Sequence, residues 1–197
     1  MKILACLISI LIIQISGCSL MYAEKYPQGA TANVNYLSEA SCSPTIITPK
    51  FGETTVFEGD KALEKKWVDK IKESAQLANK QISSKEFAMK CQSLNVTKTN
   101  GKTVQEVCRE IVCSSAVHPT IGFYNNPGTK AIAYESEGGL FVNIAKDAQG
   151  AGGTGNLVHE FTHTLGYKHF TNFALLGQCS VPYRVGNLVE ELVNNNN

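Results

Sequence analysis

What this 197-residue chain lacks narrows its function first. No apolar run reaches the roughly 18–20 residues that a membrane-spanning helix needs. The amino-terminal one, Ile3 to Ile15, is thirteen residues long and is broken by Ser9 and Gln14. No block of lysine or arginine stands out and the formal net charge is +1, so the electrostatic footprint of a nucleic-acid binder is missing. The glycines at 150, 152, 153 and 155 do not form GxGxxG behind a strand, and no GK[ST] follows them, which argues against a phosphate loop. Methionine is confined to Met1, Met21 and Met89. Histidine is scarce too, four in all, yet three of the four fall between 159 and 169.

That stretch reads His159-Glu160-Phe161-Thr162-His163-Thr164-Leu165-Gly166-Tyr167-Lys168-His169, a full HExxH followed by GxxH. On a helix, His159 and His163 stand one turn apart on one face, while Leu157, Phe161 and Leu165 form an apolar stripe on roughly the opposite side. Two imidazole nitrogens from one turn can reach a Zn²⁺ at about 2.0–2.1 Å. Gly166 is the expected stop, because glycine enters the left-handed conformation at little cost. The chain can then turn back and bring His169 to the same ion. The fourth position stays with water, and Glu160, beside the histidines but not among them, is placed as general base. Idle histidines on an ordinary helix are the plain alternative, but the added Gly and His at fixed offsets make chance a poor explanation. His118, next to Pro119, reads as a turn or surface residue and not as a further ligand.

These residues resemble the zinc-binding signature of the metzincin metalloproteases. The resemblance implies His159, His163 and His169 as ligands, Glu160 as base, and hydrolysis of peptide bonds. Metzincins also carry a methionine in a tight turn beneath the metal. None stands there in this sequence, where the corresponding region is Cys179-Ser180-Val181-Pro182-Tyr183, and Pro182 is expected to hold that turn rigid. By the same resemblance Tyr183 is a candidate catalytic residue that lends its hydroxyl to the metal or the reacting carbonyl. The competing zinc arrangement, of gluzincin type, replaces His169 by Glu190 or Glu191 on a short closing helix.

The amino terminus is a signal-peptide pattern, and Ile15-Ser16-Gly17-Cys18 resembles a bacterial lipobox. Cleavage before Cys18 and acylation of its thiol are expected, with the outer membrane of the bacterial envelope as destination and secretion as the second choice. Lys2 is the sole charged residue in 1–17, so the mature chain keeps 17 basic residues against 17 acidic. The expected partners are a protein or peptide substrate and the membrane, through the lipid on Cys18; no nucleic acid is expected, and the chain is read as a monomer. Cys42, Cys91, Cys108, Cys113 and Cys179 remain in an oxidising compartment, an odd number that predicts at most two disulfides and one leftover thiol. Cys91 and Cys108 fit buried free thiols as well as a bridge. Cys42 fits either a disulfide or a thiolate latch over the metal.

Short strands are expected at Thr45–Pro49 and Thr54–Glu58. Asp60 should cap a helix to about Lys80 with Leu63, Trp67, Ile71 and Ala75 inward. Ser83–Glu86 and Thr103–Glu106 read as capping boxes of two shorter helices. Strand-like runs follow at Thr120–Tyr124, Ala131–Ser136 and Leu140–Ala145, separated by turns, and Asp147–Gly155 reads as a glycine-rich loop rimming the cleft. The expected fold class is α+β, zincin/metzincin-like: a small mixed sheet with an antiparallel edge strand packed on helices, an active-site helix, and a short C-terminal helix. The domain boundaries are 1–17 signal, 18–44 tether and 45–197 catalytic. The functional expectation is a zinc metalloendopeptidase of the bacterial envelope; the alternatives are a non-catalytic zinc-binding lipoprotein, a gluzincin-type hydrolase, and an amidase acting on cell-wall peptides.

Overall fold

Asp60 starts the first long helix by accepting backbone N–H bonds from Ala62 and Leu63 at 3.1 and 2.9 Å. This helix, α1 (Lys61–Ile82), buries Trp67, Ile71, Ala75, Ala78 and Ile82 along one face. Each large apolar side chain so buried contributes on the order of 1.5–3 kcal/mol. The computed structural model describes residues 37, 39, 41–128, 133–136, 139–146, 150–169 and 179–196. The expectations for the signal, for Cys18, for most of the arm before residue 41, and for Ala131, Ile132, Glu137, Gly138 and 147–149 therefore lie outside the described residues. The other elements are β1 (Ser43–Ile47), β2 (Lys50–Phe51), α2 (Lys85–Gln92), α3 (Val104–Val112), β3 (Ser114–Val117), β4 (Thr120–Tyr124), β5 (Ala133–Ser136), β6 (Gly139–Asn143), α4 (Gly150–Thr164) and α5 (Val181–Asn195). No helix among the described residues is long and apolar enough to cross a membrane.

The caps largely follow the sequence. Thr103 and Glu106 form the reciprocal capping box of α3. For α2 the cap is Ser84, which accepts from Phe87 N–H at 3.0 Å, so Glu86 is not the third helical residue and the expected box is absent.

Two parallel strands, β1 and β3, form one small sheet, and a second sheet has the order β2-β4-β6-β5. In it β2–β4 and β4–β6 are parallel, and β5 lies antiparallel on β6 at the edge. A mixed sheet with an antiparallel edge strand is the expectation; the parallel pairing of all the other strands, and the separate β1–β3 sheet, are not part of it. The connection after β4 carries the chain past one strand position, and β6 then returns to fill it between β4 and β5. The strand expected at 54–58 is a turn instead, with Glu58 at φ 50° and Gly59 at φ 84°. There the buried Phe57 packs edge-on against Phe123 at 5.1 Å, a tertiary contact that outweighs local β preference.

Two further expectations fail at the helices. Gly150–Gly155 belongs to α4 and is not a loop, and the expected C-terminal helix is present as α5 but is fifteen residues long and not short. Pro182 sits in the first turn of α5 behind Ser180, a position where its missing N–H costs nothing.

Every cysteine among the described residues is disulfide-bonded. Cys42–Cys113 ties the start of β1 to the end of α3, and Cys91–Cys108 ties α2 to α3. Cys179 is oxidised as well, so the leftover thiol is not found among the described residues. The latch reading of Cys42 is overturned, because its sulfur is committed to Cys113.

Candidate metal centre

The helix that carries the histidines ends as its sequence demands. Gly166 adopts φ +86°, and the N–H groups of Gly166 and Tyr167 donate to the carbonyls of His163 and Thr162 at 2.9 and 3.2 Å. This is the two-bond glycine cap that reverses the chain after a helix. The reversal places His169 back over the helix. His159, His163 and His169 then each offer a ring nitrogen within 4.8 Å of the others. Ligands held tetrahedrally at about 2.1 Å stand roughly 3.4 Å apart, so this set lies within little more than about an ångström of ligand spacing. The ring centroids are 5.0–5.3 Å apart.

The electrostatics suit ligation. His159 is held down to about 3 from an ordinary 6.5, first by burial and then by the charges of His163 and His169. It is therefore neutral, with a lone pair free to coordinate, across the physiological range. Below about pH 6.5 the unfolded chain takes up a proton that the folded His159 refuses, so acid works against the folded site. At His163, Nδ1 lies 2.6 Å from the carbonyl of Tyr167. A carbonyl can only accept, so Nδ1 carries the proton and Nε2 is left to the metal.

The other predicted residues fall as follows. Glu160 is buried, and it lines a cavity of about 30 Å³ between α1, α4 and the sheet, together with Lys70, Asn156 and Ala133 of the edge strand. Tyr183, in the first turn of α5, packs its ring against His159 and His169, with centroids 4.5 and 5.0 Å away. Glu191 is exposed and paired with Lys90 at 2.9 Å. Glu190 packs against Gly155, one turn before His159. Neither belongs to the metal cluster, which is completed by His169. His118 is exposed at the β3–β4 connection, as expected.

Three residues whose packing sequence reasoning passed over set the geometry. Helices α4 and α5 cross with Gly155 against Gly186. A Cβ on Gly186 would stand 2.7 Å from the Gly155 carbonyl and 3.2 Å from Cβ of His159. A Cβ on Gly155 would stand 2.8 Å from the Gly186 carbonyl. This close approach is what brings Tyr183 to His159. Replacing Gly186 by alanine should force the helices apart, cost roughly 1–3 kcal/mol and weaken metal binding. Thermal melting with chelator competition checks it, and an unchanged melting temperature would show that the crossing has slack. The other overlooked residue is Tyr167, inside the GxxH gap. Its side chain is fully buried, and its hydroxyl donates to the Glu110 carboxylate; burial and that carboxylate keep it protonated well above the usual range. A large aromatic between a helix-ending glycine and a third histidine was the available signal.

Compared with known protein families, curated proteins and solved structures, the chain finds no match. The fold and site together define a mixed α/β chain whose helix and following turn carry a three-histidine cluster able to hold a metal ion.

Proposed function

We propose that this chain is a zinc-dependent peptidase with a metzincin-like catalytic domain. The observation that carries the reading is the convergence of three imidazole nitrogens within 4.8 Å, two of them on a helix that bears Glu160 next to the first. Three protein ligands leave a coordination position open, as catalytic rather than structural zinc sites do. His159, His163 and His169 would hold the ion. Bound zinc supplies a Lewis acid that polarises a carbonyl and acidifies water. The Glu160 carboxylate accepts a proton and returns it to the leaving amine. The ring of Tyr183, edge-on to His159 and tilted against His169, brings a hydroxyl-bearing side chain to the wall of the site. The test is metal content of the purified chain together with digestion of a broad peptide library that includes cell-wall peptides. A chain without stoichiometric zinc, or one that cuts no amide, would sink the proposal.

Substrate is proposed to bind as an added strand. β5 pairs only with β6 among the described residues, which leaves its outer edge open for an extended peptide beside the metal helix. Adjacent residues of a strand direct their N–H groups to opposite sides, so of Tyr134→Pro and Glu135→Pro one removes an outer donor and the other a β6 bond. The outer variant should keep a cooperative melt and raise KM about tenfold or more; loss of folding in both would count against an open edge.

An envelope location is proposed from the amino-terminal pattern ending at Cys18. The mass of the mature amino-terminal peptide decides it: an acylated Cys18 supports the lipid anchor, and an unmodified peptide beginning after Ala23 refutes it.

A further inference from the structure

One link between the metal ligands and α3 runs through Tyr167. Tyr167 is held at three points. Its N–H donates to the Thr162 carbonyl at 3.2 Å, its own carbonyl accepts from His163 Nδ1 at 2.6 Å, and its hydroxyl donates to the Glu110 carboxylate. Glu110 stands on α3, 57 residues away in sequence, and also accepts from the Lys102 ammonium at 2.5 Å. That ammonium lies 5.5 Å over the Tyr167 ring. Next to it, the Asn100 side-chain amide donates to the Gly166 carbonyl at 3.2 Å. The 100–110 segment therefore grips the cap of the metal helix from outside, through two consecutive residues of the turn.

We infer that Glu110 is a positioning residue for the metal ligand His163, acting through Tyr167. The inference rests on the reading above that the cluster binds zinc. A buried ring anchored at its hydroxyl fixes the backbone to which it is attached. Here that backbone presents the carbonyl that selects the Nδ1–H tautomer and sets the imidazole plane. With the anchor removed, the turn has freedom to rotate the Tyr167 carbonyl away, and His163 loses both its tautomer and its direction. Groups that orient a ligand histidine in this way are worth roughly 10- to 100-fold in metal affinity. Nothing in HExxHxxGxxH requires Glu110 or the tyrosine hydroxyl, so the device belongs to this chain's own packing.

The test measures metal binding and not turnover. Zinc affinity, by competition with a chromophoric chelator, and the visible absorption of the cobalt-loaded chain would be recorded for wild type, Glu110→Ala, Glu110→Gln and Tyr167→Phe. Asn79→Ala serves as a stability control; it removes a side chain that bridges the N–H and carbonyl of Ile47 in β1, away from the site. Glu110→Ala and Tyr167→Phe are expected to weaken zinc binding roughly 10- to 100-fold and to alter the cobalt spectrum. Glu110→Gln, whose amide oxygen still accepts from the phenol, should recover most of both. Asn79→Ala should lower the melting temperature with affinity and spectrum unchanged. Affinities within twofold of wild type for Tyr167→Phe, or a loss in Asn79→Ala that matches the Glu110→Ala loss at equal destabilisation, would overturn the inference and leave the zinc reading standing. A wild-type chain that binds neither zinc nor cobalt would overturn both.

Discussion

Glu160→Ala is expected to keep its zinc and to lose peptide hydrolysis by about 10²–10⁴-fold, because a general base contributes on that order and is not a ligand. His163→Ala should lose both. The distinction follows from where the side chains lie. His163 belongs to the nitrogen cluster, whereas Glu160 is absent from it and lines the adjoining cavity toward the edge strand. Removing His163 also leaves the Tyr167 carbonyl without its partner. The measurement is kcat on a cleaved library peptide beside zinc content by mass spectrometry, with KM followed separately to detect a change confined to binding. Full activity in Glu160→Ala would end the hydrolytic mechanism even if zinc were retained.

The second large effect concerns α3. The cross-links Cys42–Cys113 and Cys91–Cys108 close 71 and 17 residues of sequence. In the chain-entropy treatment such loops stabilise by about 4 and about 3 kcal/mol. A domain of ordinary stability has only about 5–15 kcal/mol in hand. Replacing Cys42 and Cys113 together by alanine should therefore lower the melting temperature by roughly 8–16 °C, and reduction of both bridges should leave the chain marginal or unfolded at about 37 °C. Calorimetry of the double variant, with and without reductant, measures this. A drop of less than about 3 °C, under 1 kcal/mol for a domain of this size, would show that the unfolded chain gains little freedom on release. Cys91 and Cys108 are completely buried, so their bridge should resist reductant longer than Cys42–Cys113 in the folded protein.

What the sequence disclosed was local. Asp60 and the Thr103–Glu106 pair announced their helices because a cap is decided within three residues. The histidine spacing announced the cluster because one helical turn and one glycine reversal bring the ligands together. What stayed hidden depends on distant partners. Gly150–Gly155 reads as a loop on propensity, yet it is helical, and Gly155 lies against the backbone of Gly186 at a crossing that a larger residue would block. Strand β3 is only Ser114–Val117 and owes its pairing to β1, far earlier in the chain. The placement of β6 between β4 and β5 is a choice of partner that alternation of side chains does not encode. Cysteine pairing is of the same kind, a matter of which sulfurs the finished fold brings together.

The glycine crossing also decides where the site can breathe. His159 and Tyr183 ride on helices whose backbones touch at Gly155 and Gly186, with no side chain between them to act as a compliant layer. The two helices have to move as one piece, and the distance from the first ligand to the tyrosine is fixed during any opening. The opposite wall is built differently. β5 is four residues long and, among the described residues, is held by one neighbouring strand and by packing on α4. Under the proposed strand-addition mode, substrates of different bulk would be accommodated at the sheet edge and not at the glycine crossing.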